Sequence, residues 1–173
     1  MRKIFLCCLF AGLVLFATAQ TSNNQQRPCS TNPEYRQFDF WIGEWEVYGL
    51  NGKVAGQSKI SLILDSCIIL EEWTGGSGFT GKSFNKWDAA NKQWQQTWVD
   101  NMGGNTEFLR GESATGKITF YADRNTGSDG KNFLRKLTFY KLSNDKVRQH
   151  GERSNDGGTT WTTEYDLEYR KKK

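Results

Sequence analysis

Residues 67–104 read CIILEEWTGGSGFTGKSFNKWDAANKQWQQTWVDNMGG. Three runs in this stretch, 67–74, 81–88 and 93–99, are dominated by aromatic and β-branched residues and read as strands. The breaks between them differ in kind. Gly75-Gly76-Ser77-Gly78 is glycine-rich, Ala89 to Lys92 is a short turn, and Asn101-Met102-Gly103-Gly104 is glycine-rich again.

The same alternation continues in both directions. Further strand runs fall at 44–50 and 57–64 on one side, and at 106–112, 117–123, 133–142, 146–153 and 161–170 on the other. Long or glycine-rich breaks recur at 51–56, 124–132 and 155–158, and short ones at 65–66, 113–116 and 143–145. In an up-and-down meander, alternate breaks fall at opposite ends of the barrel. One end is then tightly closed and the other carries adaptable loops, the layout of a cup. The expected fold is all-β: a single ten-stranded antiparallel up-and-down barrel. Both prolines, Pro28 and Pro33, precede the first strand, so none interrupts a sheet ladder.

Upstream, Asn32-Pro33-Glu34 has the form of a helix start, with a capping Asn, Pro at the first helical position and an acid in the first turn. Tyr35, Phe38 and Trp41 or Ile42 follow at helical spacing, which predicts one short helix or 3₁₀ segment over 33–41 acting as a plug. Residues 20–32 are polar at first and read as a flexible leader. Arg2 and Lys3 precede an apolar run over 4–16 and then Ala17-Thr18-Ala19, a signal-peptide pattern cleaved after Ala19. The organisation expected is thus signal peptide 1–19, leader 20–32 and barrel 33–173, with export to the periplasm or beyond. After cleavage no integral membrane segment is expected.

Net charge is +4 over the whole chain, and Arg2 and Lys3 belong to the signal. Four more cations close the chain at 170–173, so the folded body is near neutral and has no nucleic-acid footprint. A single histidine, His150, and no metal-ligand spacing argue against a metal site. Cys29 and Cys67 survive processing. If strand one rises from the plugged end, strand two returns to it, and Cys67 then meets Cys29 beside the plug. A disulfide is expected there; the alternative is two free thiols.

Gly43-Glu44-Trp45 opens the first strand just after the plug, and Tyr169-Arg170 closes the last. This arrangement resembles the lipocalin and fatty-acid-binding (calycin) barrels. The resemblance implies that Trp45 closes the barrel floor, with Arg170 packed over its indole. Residues 38–47 (FDFWIGEWEV), Trp98-Val99-Asp100-Asn101 and the turn at 154–161 resemble a bacterial family of exported, functionally uncharacterised lipocalin-like proteins. A more distant likeness is to the nitrobindins, barrels that hold haem through one histidine near the C-terminal end, a part His150 would play here. Ser154 to Trp161 also matches the Asp-box pattern of β-propellers, but only once. It reads as a hairpin in which Asp156 shapes the turn and Trp161 packs beneath it.

Strand period two sorts the candidate functional residues by face. On 67–74, Ile68, Leu70, Glu72 and Thr74 share one face, and Cys67, Ile69, Glu71 and Trp73 the other. Whichever face is interior, one glutamate follows two apolar residues into the barrel, as a ligand contact or a general acid/base, unless it reaches water at the rim. On 93–99, Trp94, Gln96 and Trp98 share a face, either as a wall for a flat ligand or as ordinary core. On 146–153, Arg148, His150 and Glu152 form a charged stripe. It is either the solvated outside or, facing inward, a carboxylate-binding arginine with a haem ligand or base. No nucleophile triad or phosphate loop is present. The expected function is binding of a small apolar or amphipathic molecule. Proton-transfer catalysis by Glu71, Glu72 or His150, haem binding, and an interaction role of the glycine-rich loops stand as alternatives.

Overall fold

The computed structural model describes residues 27–173, so the signal-peptide reading and most of the leader lie outside the described residues. The described residues open with one helical turn, α1 (Pro28–Thr31), in the stretch that reads as leader, and with two 3₁₀ turns, Pro33–Arg36 and Asp39–Trp41. The plug is therefore two short turns and not one helix. Asn32 caps the first as expected, its Oδ1 accepting from the Glu34 amide at 3.1 Å. Eleven strands follow: β1 (Gly43–Gly49), β2 (Val54–Ile63), β3 (Ile68–Gly75), β4 (Thr80–Asp88), β5 (Gln93–Asp100), β6 (Asn105–Phe108), β7 (Arg110–Ala114), β8 (Lys117–Thr126), β9 (Asn132–Lys141), β10 (Lys146–Ser154) and β11 (Thr162–Lys171).

The strands form one antiparallel sheet in the order β6-β5-β4-β3-β2-β1-β11-β10-β9-β8-β7, curled into a nearly closed barrel. The ten-strand expectation fails at a single point. The run 106–112 reads as one strand in the sequence, but β6 pairs with β5 and β7 pairs with β8, so the two edges of the sheet are joined through Leu109. The cause is local. Phe108 and Gly111 are buried while Leu109 and Arg110 between them are exposed, so the inside–outside alternation slips by one residue. The seam is held closely: Gln93 Nε2 donates to the Leu109 carbonyl at 2.9 Å. A Cβ on Gly111 would lie only 2.5 Å from the Trp94 carbonyl oxygen, so only glycine lets β7 pass β5 there.

At the plugged end, Phe38 and Trp41 are wholly buried and stack on one another with ring centroids 5.0 Å apart. Their rings also meet Phe139 (4.9 and 4.5 Å), and Phe38 meets Trp94 edge-on at 5.7 Å. Val47, Ile60, Ile69, Ile118 and Val147, all inward on their strands, complete this core. Cys29 and Cys67 form the expected disulfide, with Cα atoms 4.8 Å apart. It points to a non-reducing environment. Beside it, Leu64, Asp65 and Ser66 all adopt left-handed backbone with φ of 51°, 52° and 71°, a conformation disfavoured for residues with a Cβ. Arg36 Nη2 fixes this turn by donating to the Ser66 carbonyl at 2.7 Å, which also ties the plug to it.

Trp45 is buried on the barrel floor as the resemblance implied, its Nε1 donating to the Trp41 carbonyl at 2.9 Å. The cation over it is not Arg170, however. Trp45 pairs across the ladder with Lys171, whose Nζ lies 5.8 Å from the indole centroid. Arg170, one residue out of phase, covers the Tyr48 ring at 4.0 Å instead. Gly43, with φ of 144° and the Lys171 Cε only 3.1 Å from where its Cβ would stand, is required where the plug turns into β1.

Candidate functional site

The inner half of the barrel beyond this core encloses a cavity of about 460 Å³. Its lining comes from the loop-bearing half: Trp73 at the end of β3, Phe79 in the following loop, Trp98 and Asp100 on β5, Thr106 and Phe108 on β6, Arg135 on β9, and Tyr165 and Leu167 on β11. The plug lies at the opposite end. The glycine-rich breaks therefore surround the mouth and the short ones surround the floor.

Deeper in the cavity stands Glu71. Ile69 and Glu71 are buried on the inner face of β3, whereas Glu72 points outward, where Lys82 Nζ donates to its Oε1 at 2.7 Å and holds its carboxyl below the ordinary range. The inward glutamate is thus Glu71. Ser58 Oγ donates to its Oε1 at 2.8 Å and Ser83 Oγ to its Oε2 at 2.9 Å, with the Tyr169 hydroxyl 3.2 Å from Oε1. Burial pushes the Glu71 carboxyl above the ordinary carboxylate range, and the three hydroxyls pull it only partly back. Among the described residues no cation pairs with it.

The hydroxyls belong to a longer polar chain. Gln96 Nε2 donates to Asn85 Oδ1 at 2.7 Å, Asn85 Nδ2 to Ser83 Oγ at 3.0 Å, and Ser83 to Glu71. On the other side Tyr169 lies 2.8 Å from Gln149 Oε1. Tyrosine has one proton for two neighbouring acceptors. Either Glu71 carries a proton and donates to Tyr169, or Gln149 presents its amide NH₂ to the phenol oxygen. In both arrangements Gln96, Glu71 and Gln149 present polar groups to one cavity.

The aromatic rings have room because the neighbouring strands carry glycine at the positions they cover. A Cβ on Gly81 of β4 would overlap the Trp98 ring, and one on Gly151 of β10 would overlap the Tyr165 ring. One on Gly56 of β2 would come within 2.9 Å of Trp73 Cζ2. These inward glycines are space for neighbouring rings.

Of the residues singled out from sequence, Glu71, Trp73, Gln96 and Trp98 meet in this cavity. Trp94 does not line it; the ring sits in the core below and its Nε1 donates to Gln37 Oε1 of the plug at 3.0 Å. Arg148 and His150 are on the outer face of β10, opposite the buried Val147 and Gln149. Arg148 holds Asp166 through Nε and Nη2 at 2.8 and 2.6 Å, and His150 Nε2 is 2.9 Å from Thr163 Oγ1. From there His150 reaches neither a cavity-bound haem nor a proton on a cavity ligand, which corrects the inward reading of that stripe. Asp156 and Trp161 lie at the turn that links β10 to β11. The Thr160 hydroxyl donates to Asp156 Oδ2 at 2.6 Å, the Thr160 amide and Ser154 Oγ donate to its Oδ1, and these bonds draw its carboxyl down to about 2. Trp161 Nε1 closes the turn on the Gly158 carbonyl at 3.1 Å.

Tyr169, Gln149, Ser58 and Ser83 escaped the sequence reading. Gln149 alternates with Val147 and Gly151, a signal available once the charged stripe is assigned outward; the serines carry no comparable signal. No helix among the described residues is long and apolar enough to cross a membrane. A comparison with protein-family models finds no match, and neither does a comparison with curated proteins.

Proposed function

We propose that this protein is an exported, lipocalin-like binder of a small amphipathic molecule. The observation that carries the reading is the cavity itself: about 460 Å³ at the loop-bearing end, with aromatic walls and a few convergent polar groups at depth. The G-x-W start at Gly43 to Trp45, the plug and the disulfide support the lipocalin-like assignment and export together. A ligand enters between the glycine-rich loops, places its apolar body against Trp73 and Trp98, and sets its polar group on Glu71 and the two glutamines. The neutral dye N-phenylnaphthylamine tests this reading. Its fluorescence should rise saturably with wild-type protein, and Thr106→Trp, which fills the mouth, should weaken binding at least tenfold. An unchanged titration in that variant would place the dye elsewhere.

A second reading is favoured by the buried Glu71. A carboxyl raised by burial, facing a cavity and held by three hydroxyls, is suited to proton transfer with a bound substrate. In that role Glu71 is the acid/base, and Ser58, Ser83 and Tyr169 are positioning residues. An NMR titration of Glu71 decides whether the premise holds: an ordinary carboxylate pKa would remove it.

A further inference from the structure

We propose that the cavity selects organic cations: a ligand bearing a protonated amine on an apolar body, its N–H donated to Glu71. This deepens the binding reading above and rests on it. The charged groups in the cavity wall carry the argument. Glu71 has only hydroxyl partners. Asp100, the other carboxyl in the lining, is held by the Met102 and Gly104 amides at 2.9 Å each and by Trp98 Nε1 at 3.1 Å, again with no cation. Those donors keep Asp100 in its charged form.

Among the described side chains the lining contains one cation, Arg135, and it is already engaged. Its Nε and Nη2 grip both oxygens of Glu164 at 2.8 and 3.1 Å, and its Nη1 donates to Thr106 Oγ1 at 3.3 Å. Summed over the wall, the field is negative. A fatty acid or other carboxylate would bring an anion beside Asp100 and the Glu71 carboxyl, in a low-dielectric space where no described side chain offers a free cation. An ammonium meets an unpaired carboxyl at depth and the faces of indole and phenol rings on the way, both of which attract it. Neutral molecules of the same shape gain the apolar part and a hydrogen bond but not the charge attraction.

The test uses competition against bound N-phenylnaphthylamine with matched probes: tryptamine, tryptophol and indole-3-propionate, and octylamine, octanol and octanoate. The inference expects, in at least one series, the amine to displace the dye at least tenfold more effectively than the alcohol, with the carboxylate weakest. It expects Glu71→Gln to erase the amine preference, read as the ratio of amine to alcohol displacement within that variant whatever its own dye affinity. If the dye binds and no amine outcompetes its alcohol, or if the preference survives Glu71→Gln, cation selection is wrong while the binding reading stands. If the dye fails to bind wild-type protein at all, both fall together.

Discussion

The Tyr169 hydroxyl lies 3.2 Å from Glu71 Oε1, joining residues 98 positions apart from the last strand and the third. This contact exists because β11 pairs with β1, with β2 and β3 next in the sheet, and the sheet curls to turn their inner faces toward one another. It couples the integrity of the closed sheet to the ionisation of the cavity carboxyl. Where Tyr169 donates to Glu71, Tyr169→Phe should raise the Glu71 pKa further, since one of the bonds that favour its charged form is removed; where Glu71 donates to Tyr169, it should fall. The same change should cost about 1 kcal/mol of stability for the lost hydrogen bond. Carboxyl-carbon NMR reads the first effect and urea denaturation the second. A Glu71 pKa that stays put would separate the two groups.

The raised Glu71 pKa has a stability consequence with a definite sign. Between its unfolded value near 4.5 and its folded value, the native state binds more protons than the unfolded state. Unfolding free energy therefore falls as pH rises through that window. The lowered Asp156, Asp100 and Asp166 act in the opposite sense, and at lower pH: their contribution is lost as pH drops below about 3.8. Denaturation curves at intervals from pH 4.5 upward should show wild type losing stability relative to Glu71→Gln. A difference that stays flat with pH would mean Glu71 titrates normally.

Removing the disulfide should loosen the floor without emptying the cavity. Cys29 and Cys67 are 38 residues apart, and closing such a loop stabilises a domain by about 4 kcal/mol in the chain-entropy treatment. Cys29→Ser should lower stability by up to that amount, while dye binding at the opposite end persists at temperatures where the variant is folded. Non-reducing peptide mapping of wild-type protein should recover Cys29 linked to Cys67.

Gly81 provides a probe of the wall. Gly81→Val places a branched side chain where the Trp98 ring now lies, so the indole must move, at a cost of about 1–3 kcal/mol for overpacking. Dye affinity should fall with it. His150→Ala, on the outer face, should leave dye affinity unchanged; a loss there would put the imidazole in the ligand path.

The parts of this site legible in the sequence were those governed by strand parity. Residues 67–74 placed one of two glutamates inside, and the inward burial of Ile69 and Glu71 together identifies it as Glu71. Likewise Gln96 and Trp98 reach the cavity from a face recognised by alternation. Trp94, on that same face, is diverted into the core because Phe38 and Gln37 of the plug meet it, a tertiary event with no local signature. The slip at Leu109 was hidden for a similar reason: only the change of partner from β5 to β8 reveals that two exposed residues stand side by side. Gly81 reads as the start of a strand in the sequence, yet its role is set by an indole 17 positions away.

The measurement that bears most directly on the central claim, that the barrel interior is a ligand site, is native mass spectrometry of the protein purified from its own cells. The account predicts a discrete non-covalent adduct on wild-type protein that is absent from Thr106→Trp. A wild-type spectrum showing only the bare chain, alongside no saturable dye binding, would contradict it.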